Sequence, residues 1–418
     1  MKNNRESTAI LVIVLIVLLL AGVALMCFFG GKDYGLKETE PEQSAEETAE
    51  PAAESEQAAE PEPAAGEEPE EQSYGVDYDA MYALHDPDEV VMTIDGHEVL
   101  WKDYFYLYHG QASSMEEQFQ MYQYYGLALG WESEADEEGH SYAELLGPTT
   151  EQTLRRVITV ESVAEEYQVS LNEEEEKAVQ EEHLSNISYF CGENGSEEQL
   201  FEQLQEMYLS PEFYWRIMRF GALSQAELRS LYGEEGEKLD EQEVLAWMQE
   251  QGILSANHIL IATMDLSTYQ PLDEATIEEK TALAAQIAQE LQAIDDPEAR
   301  EARFLELKEQ YCEDGGDYVF GPGVMVDEFY DGTLALEEGQ VSDPILSQFG
   351  YHIILRRPIH ADDEVFTANG DQSARSMMVD SQFSQMMQER MDKQQVEYAP
   401  GFETPDILAF YTKPSYAS

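Results

Sequence analysis

Basic residues are scarce in this chain. Lys and Arg number 22 against 87 Asp and Glu in 418 residues, a formal net charge of −65. Such a chain repels phosphate backbones and has no surplus cations to displace their counterions, which excludes nucleic acid as a partner. Cysteine is scarcer still, at three, with no C-x-x-C pair. That is too little for a disulfide framework or a structural zinc site. Cys27 lies in an apolar run, and whether Cys191 and Cys312 pair in an oxidising compartment stays open. No H-E-x-x-H is present, the spaced acids of a calcium loop are missing, and no internal repeat of fixed period is visible. No metal or cofactor is expected. Material for a core is plentiful: 43% of residues are hydrophobic and 11% aromatic, over a length that allows two or three domains.

From Thr8 to Gly31 there is no charged residue, and Ile10–Leu20 is an almost unbroken Ile/Leu/Val block behind Lys2 and Arg5. A stretch of roughly 20 apolar residues crosses a bilayer as a helix. The leading basic residues place the N-terminus inside and the acidic remainder outside. The competing reading is a cleaved signal peptide, with Gly22 and Ala24 suited to a peptidase, but the apolar block exceeds the usual length. Lipid attachment at Cys27 is disfavoured by the bulky Leu25 and Met26 ahead of it. Between Glu38 and Gln72 stand 14 Glu, five Pro and eight Ala without a Lys, Arg or aromatic residue. Self-repulsion and the lack of apolar surface predict an extended solvated linker, with a reach of roughly 100 Å.

Beyond the linker, Val90–Ile94 alternates into Asp95-Gly96 and His97–Leu100, the pattern of a hairpin with a type I′ turn. A helical region follows, with apolar periodicity through Leu154, Ile158, Val163 and Tyr167, then Leu200 and Leu204, then Leu223, Leu228 and Leu231. Asn172 ahead of a run of glutamates predicts a helix N-cap. Phe119, Met121, Tyr122, Tyr124 and Tyr125 are read mainly as core, the other reading being an exposed peptide-binding surface. The texture changes at Ser255. His258–Ile261 reads as a strand, helices follow through Ile287 and Leu291 and over about 298–311, glycine-punctuated turns come next, and Gly350–Arg356 closes as a strand. After Pro358 the chain turns polar, then helical from about Gln372 to Val396.

His258 and His352 sit in the two strand-like runs. On pattern alone, a histidine on a buried strand is a satisfied hydrogen-bonding group of the core. The segments Ala256–Ile261, Tyr311–Asp317, Phe320–Phe329, Glu338–Ile345 and Phe349–Ile354 together resemble, in order and spacing, a parvulin-type peptidyl-prolyl isomerase domain. The flanking helical pieces resemble the chaperone lobe of the extracytoplasmic foldases PrsA and SurA, in layout more than in motif. The resemblance implies an α+β chain in which a parvulin-like domain is inserted in a mostly helical lobe. The implied organisation is an anchor over 1–32, an acidic linker over 33–78, a helical chaperone-like domain over 79–254, the isomerase domain over 255–360 and a C-terminal helical segment over 361–418 that packs on the lobe.

The resemblance also implies the site. His258 and His352 would be paired inner histidines, Asp314 would face the bond, and Ser347 would be the hydroxyl beside the second histidine. Met325 and Phe329, with Tyr318 and Phe320, would form the apolar pocket for the proline ring, and Cys312 takes no catalytic role. Two departures stand out. Asp314 runs directly into Gly315-Gly316, and the stretch 317–320 is about one residue shorter than the family's, so Tyr318 is expected to fill or reshape the pocket and weak turnover is one expectation. The loop after His258 lacks a basic cluster, which predicts no recognition of phosphorylated Ser/Thr-Pro and a preference for uncharged or basic residues before proline. The implied function is isomerisation of X–Pro bonds and chaperoning of unfolded secreted chains, with the protein held at the membrane by its N-terminal helix and its folded domains outside. The alternative is a non-catalytic holdase with a degenerate parvulin domain. A homodimer is left open, and a metalloenzyme built on His258, His352 and Asp314 is disfavoured.

Overall fold

The computed structural model describes residues 75–412. The apolar run at Thr8–Gly31 and the acidic stretch at Glu38–Gln72 lie outside them. Among the described residues no helix is long and apolar enough to cross a membrane. The chain order is β1 (Gly75–Val76), α1 (Tyr78–Tyr82), β2 (Val90–Ile94), β3 (His97–Leu100), α2 (Trp101–Tyr124), α3 (Tyr142–Tyr167), α4 (Glu173–Cys191), α5 (Glu197–Glu206), α6 (Pro211–Tyr232) and α7 (Glu241–Glu250). Next come β4 (Leu254–Ala262), β5 (Met264–Asp265), β6 (Gln270–Pro271), α8 (Glu274–Gln292), α9 (Pro297–Tyr311), β7 (Asp317–Phe320), α10 (Asp327–Leu334), β8 (Ile345–Leu346) and β9 (Gly350–Arg357). The described chain ends with β10 (Glu364–Thr367), β11 (Gly370–Ser373), α11 (Ala374–Lys393), β12 (Val396–Tyr398), a 3₁₀ turn (Ile407–Phe410) and β13 (Tyr411–Thr412). The described residues divide into two compact units, one holding 75–158, 183–216 and 394–412, the other 159–182 and 217–393.

In the first unit, Asp95 (φ 51°) and Gly96 (φ 81°) supply the two positive φ angles that a type I′ turn demands, and β2 and β3 pair across it. The two ends of the described residues meet here: β12 pairs antiparallel with β2, and β1 with β13. The core is aromatic. Trp101, Tyr104, Phe105 and Tyr108 repeat at helical spacing on one side of α2 and are fully buried or nearly so. Their polar tips are satisfied, Trp101 Nε1 donating to the Tyr82 carbonyl at 2.7 Å and the Tyr108 hydroxyl to the Pro405 carbonyl at 2.8 Å. At the end of α2 the core reading holds for Phe119, which is buried, and is corrected for Met121, Tyr124 and Tyr125, which are exposed.

The second unit is built on a six-stranded sheet in the order β11-β10-β7-β4-β9-β8. β4 is buried at every position and pairs antiparallel with β9 over eight residues, so this pair is the spine of the sheet. Side chains alternate across it. Ile259, Ile261, Ile353 and Leu355 point to one face, where Ala284, Ile287, Ala288 and Leu291 of α8 and Phe304 and Leu307 of α9 cover them. A separate cluster joins Val160 and Val163 to Phe383 and Met387 of α11, with Phe220, Leu223, Leu228 and Leu231 of α6 alongside. Asn172 caps α4 as its sequence predicts, its Oδ1 accepting from the amides of Glu174 and Glu175 at 2.9 and 3.0 Å.

Two further sequence expectations differ from the structure. The polar stretch after Pro358 contains the β10–β11 hairpin, whose Glu364, Asp371 and Gln372 hide its strand character, while Val365 is buried in a cluster with Val244, Met248 and Ala374. The final helix consequently starts at Ala374, and it stops at Lys393 because 396–398 extend as a strand beside β2.

Candidate active site

The β4–β9 register sets His258 opposite Ile354 and Leu260 opposite His352. Both imidazoles therefore project from the face that α8 and α9 leave free, as diagonal neighbours on adjacent strands. Their ring centroids lie 5.4 Å apart with an interplanar angle of 40°. Phe329 of α10 stands nearly perpendicular to both, 5.1 Å from His258 and 5.3 Å from His352. Phe320 packs 5.4 Å from Phe329. Leu254, Ala256 and Ile354 complete a buried apolar cluster, against which Met325, Tyr318 and Ile345 pack half-buried.

Polar atoms in this cluster are few and specific. Ser347 Oγ lies 2.7 Å from His352 Nε2 and accepts the Phe349 amide at 3.2 Å. Asp314 Oδ2 lies 3.4 Å from His258 Nε2, a close contact without hydrogen-bond alignment. Both nitrogens of His258 and Nδ1 of His352 are buried and have no hydrogen-bond partner among the described residues. Desolvation holds both imidazoles below the ordinary histidine range, with the Asp314 carboxylate pulling the other way. His352, next to His258 as well, is pushed down to about 4. At neutral pH the site thus holds two uncharged imidazoles, with the partly exposed Asp314 side chain beside them.

The short turn from α9 to β7 is tied from within. Lys308 Nζ donates to Asn257 Oδ1 at 2.5 Å, to the Gly316 carbonyl at 2.8 Å and to the Asp317 carboxylate. Cys312 accepts the Leu260 amide at 3.3 Å and donates to the Asp314 carbonyl, so its thiol fastens the turn to β4. Burial pushes that thiol's pKa up, away from nucleophilic character. Cys191 is also free. Tyr318 folds back over Gly316, where a Cβ would meet the ring at 1.8 Å. Its ring is 5.6 Å from His258, and its hydroxyl donates to Asp314 Oδ1 at 3.4 Å.

The predicted residues His258, Asp314, Tyr318, Phe320, Met325, Phe329, Ser347 and His352 thus gather on one side of one sheet. Sequence reasoning passed over Lys308 and Asn257, which hold the Asp314 turn, and Phe366, whose ring lies 5.8 Å from that of Tyr318. A Lys one turn before the end of α9 gave no signal by itself, and Phe366 lies on the unanticipated hairpin.

Residues 258–357 match the family model described as the rotamase, or PPIC-type PPIase, domain. That segment is a parvulin-type peptidyl-prolyl isomerase domain, of the kind carried by the PrsA and SurA proteins. Foldase protein PrsA 4 of Bacillus cereus is 52% identical over 58 residues, 12% of this chain and 21% of that protein. Foldase protein PrsA of Oceanobacillus iheyensis is 28% identical over 235 residues, 53% of this chain and 64% of the relative. Chaperone SurA of Alkalilimnicola ehrlichii is 47% identical over 58 residues, 12% of this chain and 13% of that protein. The chain therefore spans between about an eighth and just under two thirds of the length of these curated relatives.

Proposed function

We propose that this protein is a peptidyl-prolyl cis/trans isomerase and folding chaperone acting on secreted chains outside the cytoplasmic membrane. The observation that carries the reading is the pair of uncharged, buried imidazoles set against Phe329 with the Asp314 carboxylate beside them. Rotation about an X–Pro bond is opposed by amide resonance, a barrier of about 20 kcal/mol. No bond has to break. A catalyst has only to hold the twisted amide better than the planar one.

The arrangement suits that task. Resonance places extra negative charge on the carbonyl oxygen of the planar amide, and twisting withdraws it. A site that offers neutral rings and a carboxylate, with Lys308 already occupied by Asp317, disfavours the planar charge distribution relative to the twisted one. Phe329, Met325 and Phe320 provide apolar surface for the pyrrolidine ring, and Ser347 fixes the orientation of His352. Within this reading His258, Asp314, His352 and Ser347 are catalytic, and Met325, Phe329, Tyr318 and Phe320 bind substrate.

The reading extends to the whole chain. The N-terminal apolar run would hold the protein in the cell membrane as a single pass, the acidic stretch would tether it, and 255–360 would be an isomerase domain within a lobe made by 79–254 and 361–418. The lobe would bind unfolded clients while slow proline steps leave them exposed to aggregation. A second reading, a holdase whose isomerase domain is inactive, draws on Tyr318 lying between Gly316 and His258 in the space a proline ring would use. Refolding of a proline-limited protein separates the two. Wild-type chain should accelerate the slow phase and suppress aggregation, whereas a holdase would suppress aggregation and leave the slow phase untouched.

A further inference from the structure

The hairpin β10–β11 lies outside the matched span of 258–357, yet it reaches the site. β10 joins the sheet in parallel beside β7, with Phe366 opposite Phe320. Val365 is buried on one face, and alternation sends Phe366 to the same face as Phe320 and the two histidines. There its ring lies 5.8 Å from Tyr318 at an angle of 55°, and 37% of the residue is exposed. Tyr318 in turn reaches Asp314 through its hydroxyl, at 3.4 Å. A continuous strip thus runs from a carboxylate across two aromatic faces to solvent.

The electrostatics of the strip are one-sided. The Asp314 side chain is 44% exposed, and its contacts are buried His258 and the Tyr318 hydroxyl. The nearby cation, Lys308, is committed to Asn257, Gly316 and Asp317. A carboxylate at the end of two ring faces matches one side-chain chemistry closely: an apolar stem ending in a cation, which lies along the rings and meets the charge.

We propose that Asp314, Tyr318 and Phe366 form a subsite for a lysine or arginine side chain flanking the client's proline. The inference rests on the isomerase reading and narrows its substrate class. Acidic and phosphorylated neighbours are rejected by the same carboxylate that receives the basic one. Phe366 is a specificity-determining residue supplied from outside the isomerase domain proper, so a chain lacking the hairpin would lose the preference.

The test compares peptides carrying Arg, norleucine or Glu immediately before or after proline, using the full chain. Wild type should turn over the Arg peptide fastest on one side, and salt at about 0.5 M should shrink that advantage by screening. Phe366→Ala should lower the Arg-to-norleucine ratio of kcat/KM by about two- to fivefold, the range expected of an exposed cation–ring contact. Phe366→Tyr should restore it. Equal turnover of the three peptides on both sides, or a ratio indifferent to Phe366→Ala, overturns the subsite. If no peptide turns over above background, the isomerase reading has failed, and calorimetric binding of the same peptides decides the subsite by the same ratios.

Discussion

Glu227 gives the sharpest test of how the second unit is held together. It lies on α6, is 0% exposed, and its carboxyl oxygens have no side-chain partner, only the Ala164 backbone nearby. Arg390, the charge that favours its ionisation, is paired with Glu166 at 2.7 Å. Desolvation therefore raises its pKa to about 8 from 4.5. The folded chain keeps this proton over a pH range where the unfolded chain has released it. Stability is accordingly lost as pH rises through that window, by about 1.4 kcal/mol per pH unit. Between pH 5 and pH 7 the loss amounts to roughly 3 kcal/mol, which corresponds to roughly 6–12 °C in the melting of a unit of this size. Glu227→Gln retains the shape and removes the ionisation. Thermal unfolding of full-length wild type and variant, followed by circular dichroism, should coincide near pH 5 and diverge in the variant's favour toward pH 8. The difference cancels the titration of other groups, including the two site histidines, which act in the opposite direction below about 6.5. Melting curves that stay parallel from pH 5 to pH 8 would refute the argument.

Three further outcomes follow from the site. Gly316→Ala should displace the Tyr318 ring, which a Cβ would meet at 1.8 Å, at a cost of about 1–3 kcal/mol; adding Tyr318→Ala should abolish that cost, and additive losses in a double-mutant cycle would contradict the packing. Ser347→Ala leaves His352 Nε2 buried without its 2.7 Å partner, and urea unfolding should register about 1–3 kcal/mol; an unchanged midpoint would mean the contact carries nothing. Because burial lowers both His258 and His352, the latter to about 4, isomerisation should stay level as pH falls past 6.5 and decline only at more acidic pH. An inflection at 6.5 would show that the histidines titrate as if exposed.

The elements legible from pattern alone are those whose residues act on near neighbours, whereas the grouping of His258, Asp314 and His352 came from the family resemblance. Asp95-Gly96 can make only a few turns, and both of its φ angles are positive as the type I′ turn requires. Asn172 announces its own capping role. The strand bearing His258 is visible, but it begins at Leu254 rather than His258, since Leu254-Ser-Ala-Asn looks unremarkable until β7 and β9 pair on either side of it. The hairpin at 364–373 was not legible: apart from Phe366 its exposed residues are polar, and Val365 is its single buried apolar anchor. The Lys308 clamp was hidden for another reason, since it joins the nearby Gly316 and Asp317 to Asn257, 51 residues away in sequence. At α2 the periodic aromatics are core up to Phe119, yet Tyr124 and Tyr125, equally apolar in sequence, are 86% and 72% exposed because the helix outruns what covers it.

The central claim is that a neutral imidazole pair beside Phe329 and Asp314 favours a twisted X–Pro bond. Two-dimensional exchange NMR of a proline tetrapeptide, with a catalytic amount of full-length chain, measures this without a coupled protease. Wild type should raise cis/trans exchange far above the spontaneous rate, on the order of once in tens of seconds, with His352→Ala and Asp314→Asn each losing about tenfold or more, equivalent to about 1.4 kcal/mol of the barrier. Exchange at the spontaneous rate with folded wild type, or equal rates for wild type and both variants, would contradict the account.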